Sequence, residues 1–259
     1  MKKIITLLLA IFAIVGSALA QIKVNIYKGG DILYSLSVNE IDSIKFERQQ
    51  PNYNGHAYVD LGLSVKWATC NVGATAPEEY GDYFAWGETT PKTTYDWSNY
   101  KYCNGDEYSM TKYCTDSYYG TVDNKTTLEL SDDAARVNWG GSWRMPTYGE
   151  LSELRNTNNC TWEWTTQNGV NGYKVTSKKN GNSIFLPAAG FRGSSGLCDV
   201  TTAGLYWSSS LSTSNGFDAC ILGFYSSGVD LVGNYRYVGQ CVRPVSELCA
   251  KNLPTPTLK

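Results

Sequence analysis

Between Cys160 and Gly190 the chain reads CTWEWTTQNGVNGYKVTSKKNGNSIFLPAAG. Three short runs, CTWEWTT, GYKVTS and SIFLPAAG, are rich in aromatic and β-branched residues, and NG and KNGN punctuate them. Such runs read as strands, and Asn-Gly is a strong short-range hairpin signal because both of its residues tolerate the left-handed backbone a tight turn needs. GLYWSSS, ACILGFYSSG and YVGQCVRPV complete the β content. Against these stands one clear helix start. In GGSWRMPTYGELSELRNT, Thr147 is followed three residues on by Glu150, a capping box, and Leu151 and Leu154 begin an apolar face that ends near Asn156. A shorter helix is expected in SDDAARVNW, with Ser131 as its cap and Asp132 and Asp133 at its positive end. A β-rich chain carrying a few short helices predicts the α+β class.

The first twenty residues predict a segment outside the fold. Lys2 and Lys3 precede an apolar run from Ile4 to Val15, and GSALA places small residues at Ala18 and Ala20, the pattern of a secretory signal peptide. Gln21 rather than cysteine follows, so no lipid anchor is expected. The reading is of an exported chain, in the periplasm, at the outer cell surface or outside the cell, with no transmembrane segment once the signal is removed. Residues 21–47 read as a small β unit: Ile22, Val24 and Ile26 alternate with polar residues, KGGD turns the chain, and IDSIKFE offers a third strand. Residues 48–55 read as a linker, residues 56–246 as the main domain, and residues 247–259 as a polar tail.

A net charge of −2 gives no electrostatic case for nucleic acid as a partner. Eight cysteines in an exported chain suggest disulfides, with Cys103 and Cys114 the nearest plausible pair. No C-x-x-C pair occurs and His56 is the sole histidine, so neither a zinc site nor a histidine-based triad is expected. No metal, cofactor or catalytic residue is assigned. Residues 76–128 form a long irregular region rich in Tyr, Trp, Gly and Asp; a loop of this length in a compact domain is usually functional or anchored by its aromatics.

The landmarks DLGLSVKWATCNVGA, GDYFAWGE, NWGGSWRMPTYGELSEL, CTWEWTTQNGVNGYKV, IFLPAAGFRG, YWSSS and GQCVRPV occur in one order across residues 56–246. In that order they resemble the fibrobacter-type major paralogous domain of exported proteins from gut bacteria, a group similar to C-type lectin folds and to formylglycine-generating enzymes. The resemblance implies a C-type-lectin-like domain with few short helices and long aromatic-rich loops, in which Trp67, Trp86, Trp143 and Trp207 pack the core. It does not carry calcium-dependent sugar binding. Gln50-Pro51-Asn52 precedes the domain, and serines follow Trp207 where such lectins place calcium ligands. An oxidase-like enzyme using copper and oxygen would need Cys220 or Cys241, but the paired-cysteine spacing is missing.

From Ser208 through Gly239 there is no Lys, Glu, Gln, Met or Trp. These five types share the property that no codon ending in a pyrimidine encodes them. The stretch therefore resembles the variable region of diversity-generating-retroelement targets. In ACILGFY, period-two alternation places Cys220, Leu222 and Phe224 on one face and Ile221, Gly223 and Tyr225 on the other. If the first set is core, the candidate ligand-facing residues are Phe217, Asp218, Ile221, Tyr225, Asp230, Val232, Tyr235 and Tyr237. Trp207, Arg236, Gly239, Val242 and Arg243 are expected to be fixed scaffold. The function expected is that of a secreted, non-enzymatic binding or adhesion-type protein recognising a protein or glycan ligand at a cell surface. A fimbrial or surface assembly component is the alternative.

Overall fold

The computed structural model describes residues 23–28, 30–38 and 51–247. The expected signal peptide, the third strand of the small β unit and most of the polar tail lie outside the described residues. The chain divides into two units, residues 1–49 and 50–259. In the first, β1 (Lys23–Lys28) and β2 (Asp31–Ser37) form an antiparallel hairpin.

The second unit starts earlier than its sequence suggests. β3 (Asn52–Tyr53), inside the expected linker, pairs with β4 (His56–Val59), which pairs with β5 (Lys66–Ala68). The reason is packing: the Tyr53 ring lies 6.1 Å from that of Trp143, and its carbonyl accepts the Trp143 indole N–H at 3.1 Å. An irregular region then runs to α1 (Ala134–Trp139) and β6 (Trp143–Arg144), followed by α2 (Tyr148–Arg155). Two antiparallel sheets come next. One holds β7 (Cys160–Gln167), β8 (Val170–Ser177) and β9 (Ser183–Pro187), and its first hairpin turns on Asn168 and Gly169, both at positive φ. After the hairpin of β10 (Phe191–Gly193) and β11 (Gly196–Cys198), the other holds β12 (Ala203–Leu211), β13 (Asp218–Tyr225) and β14 (Gly228–Tyr235). The last strand, β15 (Val245–Ser246), inserts between β5 and β6 in a five-stranded sheet.

The α+β expectation is corrected. Strands take 39% of the residues and helices 10%, and the sheets are antiparallel, so the architecture is nearer all-β. The helix signals are real but short. The capping box forms as expected: Thr147 Oγ1 accepts the Glu150 N–H at 3.3 Å and Glu150 accepts the Thr147 N–H at 2.8 Å. The helix nevertheless spans only eight residues. α1 spans six, and its cap is Asp133 rather than Ser131, because residues 130–132 form a separate 3-10 turn. Two such helices cannot form a layer; α2 instead covers one face of the β12–β14 sheet, where Arg155 pairs with Asp230 at 3.1 Å. On the other face Phe224 meets Tyr206, Tyr173 and Trp164, with ring centroids 5.3–6.4 Å apart.

The core is aromatic. Trp67, Trp86, Trp143 and Trp207 are all buried, as the motif reading expects. Trp86 donates to the Ser208 carbonyl and Trp207 to that of Phe84, each at 2.8 Å, so these indoles tie the irregular region to β12. No helix among the described residues is long and apolar enough to cross a membrane. The seven described cysteines are free thiols, including Cys103 and Cys114.

Candidate functional site

The serine-rich stretch is not a slack surface. Ser208 and Ser209 lie in β12, buried, and Ser212 follows it, also buried. Ser208 Oγ donates to the Cys220 carbonyl at 2.7 Å, and Ser210 Oγ accepts the Tyr148 N–H at the start of α2. Small hydroxyls suit positions where a strand is covered on both faces and each side-chain polar group must find a nearby backbone partner. Only Thr213 and Ser214, in the turn after β12, are exposed there.

β13 is covered on both faces too, which corrects the assignment of Ile221. Leu222 and Phe224 are core as expected, but Ile221 is also buried, opposite Trp207 on β12. The ladder pairs Asp218 with Tyr235, Ile221 with Val232, and Gly223 with Asp230. Strand alternation therefore puts Asp218 and Tyr235 on the face opposite Ile221, Val232, Asp230 and Tyr225. The eight candidates do not form one surface. Asp230 is engaged by Arg155, Val232 is exposed on the α2 side, and Tyr225 sits exposed at the β13–β14 turn.

Phe217, Tyr235 and Tyr237, by contrast, come together, and with partners absent from the candidate set. From the 3-10 turn Trp97–Asn99, the Trp97 ring lies 4.8 Å from Tyr237, edge to face. Tyr237 lies 5.7 Å from Tyr235, and Tyr235 lies 5.7 Å from Phe217. Phe217 continues to Tyr119 at 5.5 Å, Tyr119 to Tyr118 at 5.0 Å, and Tyr118 to Tyr108 at 5.3 Å. Seven rings from three separate segments thus form an unbroken belt. It is open to solvent: Tyr118 is 66% exposed, Tyr108 51% and Tyr235 47%. Aromatic side chains bring large contact area at low entropic cost, which is why they recur at recognition surfaces.

One buried cation holds the belt in place. Arg236, between Tyr235 and Tyr237, is fully buried. It donates to Tyr100 Oη at 2.9 Å, to the Lys112 carbonyl at 2.8 Å, to the Tyr113 carbonyl at 3.1 Å and to the Gly216 carbonyl at 3.0 Å. Its guanidinium also lies over the rings of Trp86 and Tyr100, 5.1 and 5.3 Å from their centroids. The fork of one side chain thereby fastens residues 100 and 112–113 of the long loop to both ends of the β13–β14 hairpin. Asp218, opposite Tyr235 on the ladder, is half-buried and accepts from Asn215 Nδ2 at 3.0 Å; burial pushes its carboxyl up from the ordinary range.

Neither thiol that an oxidase-like chemistry would use is activated by its surroundings. Cys241 is buried, donates to the Tyr80 carbonyl at 3.3 Å, and burial pushes its thiol up to about 12. Burial, and then Asp218, pushes the Cys220 thiol up as well. Both stay protonated near neutral pH, whereas the thiolate is the nucleophile. His56 stacks on Trp139 with centroids 3.7 Å apart, and burial lowers its pKa. Two shallow clefts, one lined by Gly62, Asn158 and Lys179 and one by Thr69, Gln167 and Phe185, share no residue with the belt.

Sequence reasoning reached only part of this site. Trp97, Tyr108, Tyr118 and Tyr119 lie in the region singled out as a functional or aromatic-anchored loop, but no residue there was assigned. The usable signal was DSYYG, a tyrosine doublet in an otherwise polar turn. Comparison with family models, with curated proteins and with solved structures finds no match for this chain.

Proposed function

We propose that this protein is a secreted, non-enzymatic binding protein that recognises a ligand at a cell surface through the aromatic belt. One observation carries the reading: seven rings from sequence-distant segments are gathered on one open face by a fully buried arginine. Burying an unpaired guanidinium is costly, and here the cost goes into holding a surface in register. The order of motifs resembling exported domains and the N-terminal signal pattern support export. The protonated thiols of half-buried Cys220 and buried Cys241 weigh against the oxidase-like alternative.

The test is adhesion of the fluorescently labelled protein to intact bacterial and host cells, read by flow cytometry. Replacing Tyr118 and Tyr235 together by alanine removes two exposed rings without opening the core. Adhesion is expected to fall about tenfold, as when central aromatic anchors are truncated. Protease or glycosidase treatment of the cells then separates protein from glycan ligands. Undiminished adhesion by the double variant would overturn the assignment of the belt.

A further inference from the structure

The belt differs in how it is charged from the buried rings of Tyr83, Trp86, Tyr95, Tyr100, Tyr102 and Tyr113. Each of those six rings has a cation over it. Lys92 lies over Tyr95, Lys101 over Tyr102, Lys112 over Tyr113, Arg192 over Tyr83, and Arg236 over Trp86 and Tyr100, at 4.8–5.5 Å. Over the seven belt rings no Lys or Arg lies among the described residues. What borders them is negative. Asp96 precedes Trp97, Asp106 and Glu107 precede Tyr108, and Asp116 precedes Tyr118. The cations nearest in sequence are committed elsewhere: Arg236 is turned inward onto Tyr100 Oη and three backbone carbonyls, Lys112 pairs with Glu129 and Asp132, each at 2.5 Å, and Lys101 pairs with Asp132 at 3.4 Å. Beyond burial and its neighbour Tyr235, the charges of Asp96 and Glu107 raise the Tyr237 hydroxyl, so their field reaches the Trp97 end of the belt.

Ring faces carry negative quadrupole potential, and carboxylates at their edges deepen it. We infer that the ligand of this belt is a polypeptide segment presenting arginine or lysine side chains, which stack on the belt rings while their charges meet Asp96, Asp106, Glu107 and Asp116. The inference rests on the binding role of the belt and narrows it to one ligand class. A neutral glycan would use the rings and donate hydroxyls to the carboxylates, but it would leave their four charges unneutralised.

The probe is a nine-residue peptide of three Arg-Gly-Ser repeats, compared with an otherwise identical peptide carrying citrulline, which keeps the planar shape and loses the charge. Binding to the full chain is measured by calorimetry at low and physiological salt. The arginine peptide is expected to bind roughly tenfold more tightly. Tyr118→Ala, at the most exposed ring, should weaken it about threefold, and Trp97→Ala by more. Glu107→Gln should weaken it about threefold and flatten the salt dependence. Glu163→Gln, an exposed carboxylate on β7, should leave it unchanged. Equal affinity for the citrulline peptide overturns the inference, and so do equal effects of Glu107→Gln and Glu163→Gln, which would indicate net charge alone. A panel of neutral hexasaccharides forms the third arm. Saccharide binding that Tyr118→Ala abolishes, without preference for arginine, overturns the cationic ligand and leaves the belt as a binding face. Failure of every probe also overturns it, and the adhesion assay then decides separately whether the belt binds anything.

Discussion

Arg236 combines two demands that usually fall to different residues. It satisfies three backbone carbonyls and a tyrosine hydroxyl in the interior, and it sets the two tyrosines beside it on the surface. Lysine offers a point charge on a flexible stem, not a rigid fork, and cannot reach four acceptors spread around one plane. Arg236→Lys is therefore expected to cost about 3 kcal/mol in denaturant unfolding, from buried acceptors left without donors. Ligand binding should weaken further than the lost stability explains. At this scale the sequence was informative where chemistry is one-sided: four motif tryptophans are core, and Arg236 is scaffold. It misassigned Ile221 because alternation reports that two faces exist, not that one of them is free. The element that covers the second face is α2, far away in sequence.

Among the elements, the long loop departs furthest from regular structure and is held by side chains more than by ladders. Asp132, buried at the end of the 3-10 turn Leu130–Asp132, accepts from Lys112 Nζ at 2.5 Å and from Tyr113 Oη at 2.6 Å. Burial alone would raise its pKa, but these partners hold it well below the usual carboxylate range. A folded-state pKa below the unfolded value contributes stability that is present above about pH 4 and lost as pH falls through the folded value. Asp133, the cap of α1, has the opposite sign. Burial pushes it up to about 6, so its contribution is greatest at low pH and declines as pH rises towards 6. Asp132→Asn should cost about 1–3 kcal/mol at neutral pH and remove much of the acid-side loss below pH 4, while leaving the change between pH 4 and 6 in place. Thermal melts across pH 2–7 check this; an unchanged acid limb in the variant would contradict it. The elements show the same limit on reading a sequence. The hairpin at Asn168–Gly169 and the cap at Thr147 are local chemistry and were legible. β14 was not assigned as a strand, because Gly228, Gly233 and Asn234 dilute its β propensity; its register comes from β13 beside it.

Across the whole of residues 51–247, the sheet that closes the domain is assembled from the two ends of its chain. β3, β4 and β5 come from the beginning, β15 comes from residues 245–246, and β15 pairs on both sides, with Trp67 and with Arg144. Arg243 secures the approach to it, donating to Asn71 Oδ1 at 2.8 Å and to the carbonyls of Ala68 and Thr69. Sequence patterns could not show this arrangement, since a two-residue strand has no period to detect. A chain ending at Val242 is expected to lose cooperative unfolding and the near-ultraviolet circular dichroism of its packed tryptophans. One lacking only residues 248–259 should keep both; equal spectra from the two truncations would contradict the central place of β15. A pairing such as that of Val245 with Trp67, about 180 residues apart in the chain, raises the contact order and slows folding. The domain thus cannot complete itself until residues 245–246 have been made, because β15 joins the two parts of its sheet. A polypeptide that must thread through a membrane pore unfolded would find in this arrangement a built-in delay, with the final shape deferred until the far side is reached.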